Sequence, residues 1–256
     1  MKSKINAKDI FLFVNLGLAL FLWFGDCVYV RYSNLWIKSV TSLLFVIVGV
    51  VNLVYATLSK PETRKLKFPI LMLTGLVFAM LGDVILEVEF IVGASLFAVG
   101  HVFYFVSYIF LEKFKPTDLI YGLCIFVPAV LLITLAPIFD FGDVVMEVVV
   151  VVYAAVISCM VGKAIANFVR AKNKTNLIIL IGSLLFFISD FTLLFNVFST
   201  LPYFGVICLA TYYPAQFLLG FSVFSYCSAN RAADSPTAET APEADTANVV
   251  TDNQEI

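Results

Sequence analysis

Apolar residues along the chain fall into eight long blocks separated by short polar punctuation, near residues 10–30, 36–57, 68–88, 90–111, 118–137, 143–168, 176–198 and 202–227. Each block supplies the roughly 20 residues that an α-helix needs to cross the hydrocarbon core of a bilayer. The pattern therefore predicts an all-α fold, a multi-pass transmembrane helical bundle of about eight helices, with little chain left for a separate soluble domain. The pattern gives a transmembrane domain over residues 1–229. From Asn230 through Ala232-Ala233-Asp234-Ser235-Pro236 to Ile256 the chain is small, polar and acidic, and residues 230–256 are expected to form a disordered tail. Lys2, Lys4 and Lys8 precede the first block, but no small-x-small cleavage site follows Trp23-Phe24-Gly25-Asp26, so an uncleaved first helix is expected rather than a signal peptide.

Composition agrees with the hydropathy. Hydrophobic residues make up 61% of the chain and charged ones 13%, with 26 phenylalanines, more apolar than a soluble domain requires. The net charge of -2 carries no signal for nucleic acid. What matters is where the charges lie. Lys2, Lys4 and Lys8, then Lys60, Arg64, Lys65 and Lys67, then Lys113 and Lys115, then Lys163, Arg170, Lys172 and Lys174, and finally Arg231 fall at one end of an eight-span arrangement. Only Arg31 and Lys38 fall at the other, with Glu87, Glu89, Asp140, Asp143 and Glu147. Basic loops face the cytoplasm, so both termini are expected to be cytoplasmic. Cys27, Cys124, Cys159, Cys208 and Cys227 are scattered through apolar runs without paired spacing, which argues for filler rather than zinc or a disulfide framework.

Against this background two aspartates stand out: Asp83 in Leu81-Gly82-Asp83-Val84-Ile85-Leu86 and Asp190 in Phe186-Phe187-Ile188-Ser189-Asp190. A charge at membrane depth costs about 2.5–3.5 kcal/mol on insertion scales and is kept where it pairs, lines a polar cavity or is protonated. At 1.5 Å per residue both lie roughly 21–23 Å from the cytoplasmic starts of helices 3 and 7, at one level in the outer half. His101 lies near mid-bilayer on a helix 4 face with Gly93, Phe97, Tyr104 and Tyr108. Tyr212, Tyr213 and Gln216 on helix 8 fall at comparable depth, with Asn196 and Lys38 above them. Polar groups from five helices are thus expected to line one cavity open toward the outer side. Gly75, Ala79 and Asp83 repeat every four residues, a small-residue face that admits a close neighbour.

Structural readings of the same residues compete with functional ones. The two aspartates would serve equally as a hydrogen-bonded clasp between helices. His101 reads either as a helix-bonding group donating to Asp83 or as a proton-transfer group. Tyr104, Tyr108 and Tyr212 are ordinary packing aromatics on their own, and Lys38 is either a snorkelling interfacial lysine or part of the site.

Taken together, Gly82-Asp83 with Leu86, Phe97, Gly100-His101-x-x-Tyr104, Gly182-Ser183-Leu184-Leu185-Phe186-Phe187-Ile188-Ser189-Asp190 with Asn196, and Tyr212-Tyr213-x-x-Gln216 resemble the YhhN-like lysoplasmalogenase family of multi-pass membrane hydrolases. The resemblance runs from about Lys38 to Gln216; Ser39 departs from it where the family often has proline, and the acidic tail has no counterpart. It implies hydrolysis of the vinyl ether of a lysoplasmalogen to a fatty aldehyde and a glycerophosphoethanolamine or glycerophosphocholine. The expected partners are then a lysophospholipid substrate and membrane lipids, and the expected place a bacterial inner membrane. Protonation of the alkene carbon and attack of water on the oxocarbenium ion ask for paired carboxyl groups, roles that Asp83 and Asp190 fit. His101, Tyr104, Asn196, Tyr212, Tyr213 and Gln216 would bind or orient water and substrate, and Lys38 would meet the phosphate. No metal or cofactor is required. A proton-coupled transporter would value Asp83, His101 and Asp190 as well, but no inverted repeat marks one. An intramembrane aspartyl protease is disfavoured by Met80 at the first glycine of its Gly-x-Gly-Asp signature, and a retinal receptor by the lack of a lysine within helices 7 and 8.

Overall fold

A computed structural model describes residues 6–58, 63–201 and 204–233, without the side chains of residues 63, 64, 232 and 233. Lys2, Lys4, Lys60 and the tail from Asp234 lie outside the described residues, as does the expectation of disorder placed on that tail. The described chain forms eight helices and no strand: α1 (Ala7–Tyr32), α2 (Leu35–Thr57), α3 (Thr63–Leu86), α4 (Phe90–Leu111), α5 (Asp118–Leu135), α6 (Val144–Arg170), α7 (Lys174–Phe198) and α8 (Phe204–Ala233). All eight are long and apolar enough to span a membrane, and the chain is an integral multi-pass membrane protein. α8 continues to Ala233, past the expected end of its apolar block near 227.

Polar residues between the blocks start the helices. Asn34, Glu89, Asp143 and Asn173 each accept a backbone N–H of the first turn, at 2.8, 2.7, 2.7 and 2.9 Å, satisfying donors that would otherwise be orphaned. Ser33 takes a left-handed conformation (φ 41°) and closes α1 through its N–H on the Tyr29 carbonyl at 2.7 Å. The chain therefore reverses within two residues, and Tyr29 of α1 comes to lie beside Lys38 of α2.

α2, α3, α7 and α8 form the centre, with α1 against α2 and α8, α4 against α3 and α6, and α5 against α6. Small residues set the closest crossings, as expected in lipid, where packing rather than the hydrophobic effect holds helices together. On the α3 face that reads Gly75, Ala79 and Asp83, a Cβ on Gly75 would fall 2.4 Å from the Tyr104 ring. At the α5–α6 crossing a Cβ on Gly162 would fall 2.4 Å from the Gly122 nitrogen. Polar pairs tie the interior. Asn15 of α1 and Asn52 of α2 exchange amide hydrogen bonds of 2.9 Å, and Asn52 also donates to the Gly220 carbonyl of α8 at 3.1 Å.

At the end of the bundle that holds the start of α1 and the end of α8, Lys163 is buried. It donates to Asp118 Oδ2 at 2.9 Å and to the Glu112 carbonyl at 2.7 Å. Arg170 grips the same carboxylate with both terminal nitrogens. Two of the cations counted as loop charge thus share one carboxylate within a clamp joining α4, α5 and α6. The opposite end carries the α1–α2, α3–α4, α5–α6 and α7–α8 connections, and the Asp140 N–H donates to the Phe198 carbonyl there at 2.8 Å.

Candidate active site

A chamber of about 270 Å³ opens at that connection end. It is lined by Tyr29, Lys38, Asp83, Glu87, Phe97, Ser189, Asp190, Asn196, Cys208 and Tyr212 among others. Side chains from α1, α2, α3, α4, α7 and α8 thus converge on it, and both intramembrane aspartates face it.

The two carboxyl groups have different surroundings. Asp83 is 4% exposed; its Oδ2 accepts a short hydrogen bond from Ser42, and Lys38 Nζ stands 3.6 Å from Oδ1. Lys38 makes its shorter contact with Glu87 Oε1, at 2.7 Å, and the Tyr29 hydroxyl donates to the same oxygen at 3.0 Å. Glu87 lies between the membrane spans of α3 and α4. Partial burial raises its carboxyl, but the hydrogen bond and charge of Lys38 and the Tyr29 hydroxyl outweigh burial and hold it below the usual glutamate value.

Asp190, with a side chain 13% exposed, has no cation beside it except a potential one. The Tyr153 hydroxyl donates to Oδ2 at 2.6 Å. His101 Nε2 lies 3.2 Å from that oxygen and 2.9 Å from the Tyr153 hydroxyl. Its ring stands edge-on to Phe186, with centroids 4.6 Å apart. Below the chamber Phe97, Phe186 and Tyr212 pack edge-to-face, with centroids 5.4–6.3 Å apart, the arrangement their quadrupoles favour. The Tyr212 hydroxyl is buried and makes no well-aligned hydrogen bond.

Of the residues singled out in the sequence, Lys38, Asp83, Asp190, Asn196 and Tyr212 line the chamber. His101, Tyr104, Tyr213 and Gln216 do not; they form the layer beneath it. Tyr104 donates to Gln216 Oε1 at 2.9 Å, and the Tyr213 ring meets Tyr212 edge to face, with centroids 5.1 Å apart. Lys38 is buried and braced between two acids rather than snorkelling. Of the two readings of His101, donation to Asp83 is not what forms; its Nε2 lies beside Asp190. Gly100 backs onto the α3 backbone, and the next residue, turned about 100° round α4, points toward α6 and α7. Sequence reasoning missed Tyr153, Ser42, Tyr29 and the role of Glu87. Only Glu87 carried a signal, an acid one turn beyond Asp83 on the same helix face.

The model of the YhhN family matches residues 34–223, from the start of α2 to within the last turns of α8 and across every residue of the chamber except Tyr29. No curated protein and no solved structure matches the chain.

Proposed function

The chain belongs to the YhhN family, and from that membership and the chamber we propose that it is a membrane hydrolase acting on the vinyl ether bond of lysoplasmalogens. The products are a fatty aldehyde and a glycerophosphoethanolamine or glycerophosphocholine. One observation carries the reading: two carboxyl groups from different helices, Asp83 and Asp190, face a single cavity inside a membrane bundle. Vinyl ethers yield to a proton on the alkene carbon followed by water on the resulting cation, so one carboxyl group must give a proton while another stabilises charge and activates water. Both acids do bond neighbouring helices, but a clasp alone would leave no space between them. Here they border about 270 Å³. Lys38 and Asn196 sit on the headgroup side, where a phosphate and a glycerol hydroxyl would lie. In this reading both termini are cytoplasmic, as the loop charges favour, the membrane is a bacterial inner membrane, and the chamber mouth lies on its outer side.

The test is aldehyde release from a lysoplasmalogen by the purified protein and by Asp83→Asn, Asp190→Asn and the double variant. Asn keeps the shape and much of the hydrogen bonding but neither donates an acidic proton nor carries charge. Each single variant should lose nearly all activity while staying folded, and the double variant should be little worse, as for residues acting as a unit. Retention of most activity in either single variant sinks the paired-carboxyl mechanism.

A further inference from the structure

Asp190 borders more than the chamber. An apolar cleft runs between α4, α6 and α7, lined by Phe90, Ala94, Val149, Val150, Leu194 and Phe198 among others, with Tyr153 and Asp190 its only polar side chains. It shares Leu86, Phe90, Phe97, Asp190 and Leu193 with the chamber, so the two adjoin across these residues. A second apolar cleft, between α5, α6 and α7, is lined by Ile133, Ala154, Ile157 and Phe191. It meets the chamber at Asp190 alone.

We infer that the α4–α6–α7 cleft holds the single aliphatic chain of a lysophospholipid, and that Asp190 is the proton donor while Asp83 serves water. The inference rests on the hydrolase reading for its chemistry but not for the chain site. The charged and amide groups, Lys38, Glu87, Asp83 and Asn196, lie in the chamber, and the cleft offers hydrocarbon to hydrocarbon. An amphiphile spanning both has its head beside Lys38 and its chain along Val149 and Ala94.

That direction fixes the roles. In a vinyl ether the glycerol oxygen and α-carbon lie toward the head and the β-carbon toward the chain, so the β-carbon comes nearest Asp190. The Asp190 proton passes to the β-carbon as the C=C π pair forms the new C–H bond, leaving an oxocarbenium ion. Water adds its oxygen to the α-carbon and yields a proton to Asp83. The hemiacetal then loses its hydroxyl proton to Asp190, the α-carbon to glycerol-oxygen bond breaks, and the leaving oxygen takes the proton from Asp83. Both acids are restored and one water is consumed. Oδ2 of Asp190 is occupied by Tyr153 and His101, so the transferable proton belongs on Oδ1.

Two measurements test this. An alkyl-ether lysophosphatidylethanolamine with a diazirine in its chain, added to the full-length protein in nanodiscs, should crosslink to α4 and α6 near Ala94 and Val149. Crosslinks confined to α5 near Ala129 and Ile133, or to α1 and α2, overturn the assignment. In kinetics, Val149→Trp should cut the ratio of kcat/KM for long-chain over short-chain vinyl ethers by about tenfold, the scale on which apolar pockets discriminate. Phe191→Trp, in the other cleft, should leave that ratio unchanged; equal effects from both, or none from either, overturn it. Should Val149→Trp fail to fold, the crosslinks of the unaltered protein decide. Crosslinks at α4 and α6 without aldehyde release uphold the chain site and sink the hydrolase reading, whereas aldehyde release with crosslinks elsewhere does the reverse.

Discussion

Tyr153→Phe removes one oxygen and nothing else. The ring that lines both apolar clefts stays, and what disappears is the 2.6 Å hydrogen bond to Asp190 Oδ2 together with the 2.9 Å contact with His101 Nε2. In the proposed reaction Asp190 gives up a proton, and this bond then changes from one to a neutral acid into one to a carboxylate. Neutral hydrogen bonds contribute about 0.5–1.5 kcal/mol and bonds to charged groups about 1.5–3. The part gained only in the transition state is therefore about 1–2 kcal/mol, or roughly 5- to 30-fold in kcat. His101 Nε2, 3.2 Å from the same oxygen, remains as a second partner, which favours the lower end. Steady-state aldehyde release in nanodiscs should show kcat falling in that range, with KM changed less than about twofold, because the hydroxyl meets Asp190 and not the substrate. In an Asp190→Asn background the same substitution should do almost nothing, since both act through one group. A kcat within twofold of the unaltered protein, or a KM that rises as much as kcat falls, refutes the role given to Tyr153.

Lys38→Met keeps the apolar stem but leaves Asp83 buried without its cation. It should lower thermal stability by about 3–5 kcal/mol, the usual cost of breaking a buried pair from one side, and lower kcat more than it raises KM. Gly162→Leu forces a side chain into a crossing where even a Cβ would be 2.4 Å from the Gly122 nitrogen; a lower midpoint in thermal unfolding, worth about 1–3 kcal/mol, is expected. A cysteine in place of Lys172, exposed between α6 and α7, should react with a membrane-impermeant maleimide only from the cytoplasmic side, and labelling from outside would invert the topology.

The helices were legible because membrane spans are written in composition, and Asp83 and Asp190 because a charge inside an apolar run has few explanations. Their surroundings were not. Tyr153 sits after Val148-Val149-Val150-Val151-Val152, where an aromatic reads as filler; its importance comes from a partner 37 residues away. His101 pointed to Asp83 because α3 and α4 are neighbours, but neighbouring helices share an axis contact and not every face, and a rotation of about 100° per residue decides which acid a side chain meets. Tyr104 and Gln216 fell at the right depth and bond to each other, since depth along a helix says nothing about which way a residue points. Lys38 was placed at the site by its position, but its contact with the acid one turn beyond Asp83 was not legible.

That last contact bears on why the chamber holds three acids and one lysine. At 3.6 Å and an effective dielectric of about 20, the Lys38 charge is worth roughly 4–5 kcal/mol to the Asp83 carboxylate before desolvation is subtracted. A lysine hydrogen-bonded directly to Asp83 would favour the carboxylate further and make it a weaker acceptor for a proton from water. Glu87, with Tyr29 behind it, draws Nζ to 2.7 Å, keeping the ammonium close enough to favour charge on Asp83 and far enough to leave its Oδ1 without a hydrogen bond from the lysine. Asp190 has no such cation and a hydroxyl in its place. The difference between the two aspartates therefore comes from their neighbours on α2, α3 and α6, and it is the difference that a reaction needing one proton donor and one proton acceptor requires.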